Sequence, residues 1–152
     1  LFAQENMHCV NDRIPAGSCN KYRPDFVFDA TTHFVIVEVD ENQHSTYQCS
    51  CEQARMINIA QDIGGGMPVC FIRYNPDSYT DSQGIKHKAQ SKGHSREGLL
   101  LSSTRSALLH APENQISVIY LYYDGHDDNA IETYTLDMDL FISSMGGLSI
   151  IQ

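Results

Sequence analysis

Arg23-Pro24-Asp25-Phe26-Val27-Phe28-Asp29-Ala30-Thr31-Thr32-His33-Phe34-Val35-Ile36-Val37-Glu38-Val39-Asp40 is the stretch on which the fold turns. It reads as two strands, Asp25–Asp29 and Phe34–Asp40, rich in valine, isoleucine and phenylalanine. The polar link Ala30-Thr31-Thr32 is short enough for a hairpin turn. Side chains alternate faces along a strand. Val35, Val37 and Val39 therefore share one face, and Phe34, Ile36, Glu38 and Asp40 share the other. Folding the hairpin about Thr31 sets Asp25 opposite Val37 or Glu38. Three acids, Asp25, Glu38 and Asp40, then converge at one end of a strand that otherwise looks buried.

Working outward, a short helix is expected near Phe2–Met7, and Pro15 with Gly17 marks a turn. Cys51–Ile63 reads as a helix, because Met56, Ile59, Ala60 and Ile63 follow the spacing of one buried face. Gly64-Gly65-Gly66 ends it. Val69–Tyr74 is the next strand, and Asn75-Pro76-Asp77 turns the chain out of it. Tyr79–His94 is polar and aperiodic, and is expected to be a loop. Arg96–Leu109 is a second helix, Ile116–Tyr123 a fourth strand, and Ile131–Leu136 a fifth. Strands mixed with two packing helices give an α/β (α+β) fold with a central mixed sheet flanked by helices. The 152 residues suit one domain. That domain divides into an arm at 1–24, a core at 25–123 and an extension at 124–152.

No apolar run reaches the roughly twenty residues of a membrane helix. No basic-then-apolar leader opens the chain, and Leu1 stands where a methionine would, so a piece of a longer protein is expected. The net charge of −9 argues against a protein that merely coats nucleic acid. It does not exclude a nuclease, whose clustered carboxylates hold a cation that changes the local sign. Five cysteines without secretory signs point to an intracellular, reduced setting: nuclear, cytoplasmic or viral. Cys70, inside an apolar run, reads as a buried core thiol.

Ionised carboxylates are costly to bury uncompensated. A divalent cation is the simplest compensation, and Mg²⁺ or Mn²⁺ favours oxygen ligands. His44, four residues after Asp40, is placed to reach the same cluster. Its ordinary pKa lies near neutrality, as a general base requires. The bland alternative is that these are surface charges at strand ends and His44 is an ordinary loop residue. Glu52 and Arg55 carry a similar choice between a role at the site and a common i, i+3 ion pair on a helix face.

The ordered string Arg23-Pro24-Asp25-Phe26, Val35-Ile36-Val37-Glu38-Val39-Asp40, Gln43-His44 resembles the core of a PD-(D/E)XK nuclease. It is most similar to the very short patch repair endonucleases and their homing-endonuclease relatives. In that branch Pro-Asp-Phe begins one strand, the next strand ends in a metal site, and a histidine follows six residues later, as His44 follows Glu38. Related nucleases carry Glu-x-Asp-Gly-x-x-His, then an acid and an arginine three apart on the next helix, which Glu52 and Arg55 match. The resemblance covers about 22–74. It implies a restriction-endonuclease-like core and Mg²⁺-dependent hydrolysis of double-stranded DNA. Asp25 and Glu38 would be metal ligands, Asp40 a ligand or supporting acid, and His44 the base that activates water. The general class has a lysine where Asp40 stands, and its absence favours the branch in which histidine does that work. Glu5 is a candidate for the acid that the branch supplies from its first helix.

Cys9, Cys19, Cys49 and Cys51 are candidates for one structural zinc site. The same branch has such a zinc near its histidine. The spacing is not that of two CxxC pairs, and four unlinked thiols remain the other reading. Lys86, Lys88, Lys92 and Arg96 are candidates for tracking a phosphate backbone, or else belong to a solvated loop. Against an endonuclease stand two rivals: a catalytically inactive nucleic-acid-binding module on the same scaffold, and a zinc-stabilised interaction domain.

Overall fold

A computed structural model describes residues 1–11, 23–44, 49–91, 95–125 and 132–135; at 10–11, 44, 49–51 and 132–135 it describes backbone alone. The expected turn at Pro15 and Gly17 lies outside the described residues, as does most of the 124–152 extension. The fold is α+β. One six-stranded mixed sheet has the spatial order β1 (Val10–Asn11), β2 (Phe26–Asp29), β3 (Phe34–Val39), β4 (Val69–Tyr74), β7 (Ile116–Leu121), β8 (Glu132–Thr135). A two-stranded sheet joins β5 (Tyr79–Thr80) to β6 (Lys86–His87). The helices are α1 (Cys49–Gly64) and α2 (Glu97–Leu109), with a short 3-10 turn at Phe2–Glu5.

β2 and β3 form the expected antiparallel hairpin, with Phe26 opposite Val37 and Asp29 opposite Phe34. Thr31 takes a left-handed conformation at the turn, φ 71°. The Asp29 carboxylate offsets that strain by accepting the Thr31 N–H at 2.7 Å. β3, β4 and β7 run parallel, and the connections between them carry α1 and α2. All six residues of β4 are buried, as befits the central strand of a sheet covered on both faces.

The alternation along β3 sorts the core into two layers. Val35 and Val37 pack with Cys70, Ile72 and Leu121 against Leu100 and Ala107 of α2. Ile36 packs with Phe71 and Val118 against Met56, Ile57, Ile59 and Ala60 of α1. α1 ends as expected at the glycines, where Gly65 and Gly66 have φ of +54° and +98°. Among the described residues no helix is long and apolar enough to cross a membrane.

Two features depart from expectation. The segment at 79–94, expected to be a structureless loop, contains the β5–β6 hairpin. Its polar sequence hides the pairing because so short a ribbon needs no apolar period. A two-residue edge strand, β1, also went unanticipated; two residues are too few for a pattern.

Phe71 is fully buried at the centre of the α1 layer. Phe71→Ala is expected to cost about 3–5 kcal/mol of stability. The midpoint of urea unfolding measures it, and an unchanged midpoint would contradict the central position of β4.

Candidate functional site

The three parallel strands carry apolar side chains on their α1 face until their last turns, and there the chemistry changes. The register sets Ile36 beside Phe71 beside Val118, and one step along sets Glu38 beside Arg73 beside Tyr120. A polar row thus crosses the sheet at the C-terminal ends of its parallel strands. In open sheets of this kind ligands bind outside those ends, because the connecting loops diverge there.

Glu38, Asp40 and Arg73 are 3%, 0% and 2% exposed. Such burial demands partners, and the neighbouring elements supply them. Arg73 Nε donates to Asp40 Oδ2, and its Nη2 donates to Glu52 Oε2 at 2.6 Å. The Tyr123 hydroxyl donates to the same Asp40 oxygen. Arg55, one turn along α1 from Glu52, sets its Nη1 3.0 Å from Glu38 Oε1. Glu52 and Arg55 thus each reach across to a strand residue. Asp25 Oδ2 accepts the Val39 N–H at 2.7 Å, just beyond the last hairpin pair, so its carboxylate lies beside the end of β3.

The electrostatics follow from this packing. Burial raises the Glu38 pKa, and the nearby charges of Asp25 and Asp40 push the same way, while Arg55 opposes them. Burial is the largest influence on Arg73 and works against its charge, but the bond to Asp40, the charges of Asp40 and Tyr123 and the bond to Glu52 together outweigh it and raise the pKa. Burial, then the charge of Asp40, raises the Tyr123 phenol. Four carboxylates (Asp25, Glu38, Asp40, Glu52) face two guanidiniums (Arg55, Arg73), which leaves two negative charges when all are ionised. Glu38 Oε1 is buried, and among the described residues its polar partner is the Arg55 guanidinium, 3.0 Å away and poorly aligned for a hydrogen bond. That oxygen and that charge deficit are what a divalent cation would satisfy. Among the described residues no three His, Cys, Asp or Glu side chains already stand around a single metal position.

His44 closes a 3-10 turn at Glu41–His44, directly after β3; its side chain lies outside the described residues. The turn is held to its neighbours. Asn42 N–H donates to Asp77 Oδ2 and Asp124 N–H to Gln43 Oε1, both at 2.8 Å. The loops that follow β3, β4 and β7 are thereby laced into one rim around the polar row.

The other candidates lie elsewhere. Glu5 pairs with Arg105 on the exposed side of α2. Cys9 is half-buried against the α2 layer. Cys19 falls outside the described residues, as do the side chains of Cys49 and Cys51 at the start of α1. Lys86 and Lys88 are exposed, and Lys92 falls outside the described residues. Arg96 is 6% exposed. Its guanidinium lies 4.8 Å from the Tyr79 ring centre and 4.9 Å from that of Tyr122, and donates to the carbonyls of Asp77 and Lys88. Those contacts tie it to the protein's own interior.

Arg73 and Tyr123 were not anticipated. A single arginine within Val69-Cys70-Phe71-Ile72-Arg73-Tyr74 was the available signal, since a charge in a buried strand requires a partner. For Tyr123 the sequence offers none. No family model, curated protein or solved structure matches this chain.

Arg73→Met is expected to destabilise the fold by about 3–5 kcal/mol, because it leaves Asp40 buried without its cation. Chemical denaturation checks this. A variant of wild-type stability would show that Tyr123 alone suffices for Asp40.

Proposed function

We propose that this chain is a metal-dependent endonuclease that hydrolyses phosphodiester bonds in double-stranded DNA. On this reading it is a PD-(D/E)XK enzyme nearest the very short patch repair and homing-endonuclease branch, working inside the cell. The observation that carries the reading is the acid cluster at the strand ends, in which, among the described residues, four carboxylates meet two guanidiniums and the buried Glu38 has only the partly exposed Arg55 as its cationic partner.

Asp25, Glu38 and Asp40 would hold Mg²⁺ or Mn²⁺, which supplies charge neutralisation at the phosphate and eases deprotonation of water. His44 takes the proton from the attacking water at a ring nitrogen. The water oxygen attacks phosphorus in line, and the bond to the leaving sugar oxygen breaks. Arg73 and Tyr123 keep Asp40 in place, so the acid need not reorganise as charge develops. Arg55 is partly exposed, at 24%, and can leave Glu38 for a phosphate oxygen once a cation takes its place. A structural zinc on Cys9, Cys19, Cys49 and Cys51 would staple the N-terminal arm beside the loop that carries His44.

A second reading has its own support. The pairs Arg55–Glu38 and Arg73–Asp40 already neutralise much of the acid charge. A non-catalytic nucleic-acid-binding or zinc-stabilised interaction module would have the same pairs.

Plasmid nicking across a panel of Mg²⁺, Mn²⁺ and chelator separates the two. Cleavage that requires the cation supports the enzyme; none under any condition supports the module. Asp25→Asn should abolish cutting by weakening cation binding, while its amide oxygen still accepts the Val39 N–H. His44→Ala should lower the rate by about 10²–10⁴-fold and leave Mn²⁺ affinity nearly intact. Wild-type cutting by His44→Ala would rule out histidine as the base. For zinc, elemental analysis should find about one tightly held ion per chain, with chelation lowering stability; no zinc and four freely reactive thiols would reject the site.

A further inference from the structure

β7 ends at Leu121, and the two residues that follow it exchange faces. The pleat sets Leu121 on the α2 face of the sheet, level with Tyr74, and Tyr120 on the opposite face, level with Arg73. An extended chain would carry Tyr122 on to the face of Tyr120, and Tyr123 on to that of Leu121. The reverse is found. Tyr122 packs with the α2 layer, its ring centre 6.0 Å from that of Tyr74 and 5.8 Å from that of Tyr79. Tyr123 lies on the side of the polar row, its ring centre 5.0 Å from that of Tyr120 and its hydroxyl donating to Asp40.

One residue makes the reversal. Tyr122 has a φ of 65°, in the left-handed region. A bulky side chain rarely takes that backbone, and the conformation persists only where the surroundings hold it. Two neighbours do so. Asn75, fully buried directly after β4, donates from Nδ2 to the Tyr122 carbonyl at 2.8 Å. Its own N–H donates to the Leu121 carbonyl at 3.1 Å, and its Oδ1 accepts the Asp77 N–H at 2.9 Å. The Arg96 guanidinium, 4.9 Å from the Tyr122 ring centre, holds that ring on the α2 side.

The consequence falls on Asp40. Tyr123 and Arg73 both donate to its Oδ2, one from the loop after β7 and the other from β4. Two donors on one oxygen fix the rotation of a carboxylate. We propose that Asn75 and Tyr122 are positioning residues for the site: the kink they form turns Tyr123 onto Asp40 and so sets the angle at which that acid meets a cation. This rests on the reading of Asp40 as a cation-holding acid and adds how its geometry is enforced. A fixed angle matters most for Mg²⁺, which demands near-ideal octahedral geometry, and least for Ca²⁺, which accepts a flexible set of oxygens.

The test is calorimetric titration of the full chain with Mg²⁺ and with Ca²⁺, with the urea midpoint of each variant measured beside it. Tyr123→Phe keeps the ring against Tyr120 and loses only the hydroxyl. It should weaken Mg²⁺ binding by about 10–100-fold and leave Ca²⁺ binding nearly unchanged. Tyr122→Val and Tyr122→Asn both lose the ring, but asparagine enters the left-handed region readily and valine does not. Tyr122→Val, and Asn75→Ala with it, should therefore act as Tyr123→Phe does, while Tyr122→Asn should keep the wild-type preference between the two ions. Equal behaviour of folded Tyr122→Val and Tyr122→Asn would show that the ring matters and the kink does not, and would overturn the proposal. So would wild-type binding of both ions by Tyr123→Phe, even where Tyr122→Val fails to fold. A wild type that binds neither ion overturns the reading of Asp40 itself, and this inference with it.

Discussion

The guanidinium of Arg73 joins the end of β3 to the first turn of α1, by donating to Asp40 on one side and Glu52 on the other. Everything around it is arranged to keep that charge dry and paired. Asp40 is wholly buried and Arg73 nearly so. Removing two ions from water costs several kcal/mol each unless geometry and further hydrogen bonds compensate. Tyr123 adds such a bond from the loop after β7. The network therefore fixes four separate elements relative to one another, β3, α1, β4 and the loop after β7, and it does so at the place where the sheet's apolar row gives way to a polar one.

A network of this kind is poor evidence for stability, since a well-packed apolar set often does as well. Its interest lies in what it leaves over. With Arg73 committed to Asp40 and Glu52, the partly exposed Arg55 is the only cation among the described residues paired with Glu38, and Asp25 adds a further negative charge nearby. The site is held rigid on its β4 side, and on its β3 side the described carboxylates outnumber the described cations. Rigid support beneath such an acid cluster is what the proposed cation binding would require. The loops bonded along the rim, from Asn42 and Gln43 through Asp77 to Asp124, extend the same rigidity to the turn that ends at His44.

Much of this was legible in the chain itself, for local reasons. Valine and isoleucine in alternation gave β3, and a three-residue polar link gave a hairpin whose register sets Phe26 opposite Val37, and so Asp25 level with Glu38. Apolar spacing gave α1 to within two residues, the glycines gave its end, and α2 was placed to within a residue. The acids Asp25, Glu38 and Asp40 could be brought together on paper because the hairpin is contiguous. Glu52 and Arg55 could be singled out by spacing, which left open whether they serve the site or pair with each other. Their contacts to Arg73 and Glu38 on the sheet were not visible.

The sequence by itself determined β2, β3, β4, β7 and both helices, the faces of β3 and the approach of the acids across one tight turn, because each depends on residues near one another in the chain. Tertiary structure alone decided which cation meets which acid. Asp40 and Arg73 are 33 residues apart, and Asp40 and Tyr123 are 83 apart. Their meeting depends on β4 and β7 lying parallel to β3 in a particular order. It likewise withdrew Arg96 from the basic stretch into an aromatic sandwich, and turned an apparently formless polar segment into a hairpin closed by Asp81. Charges act through space and are screened by whatever surrounds them, so their partners follow from the packing and cannot be read from spacing alone.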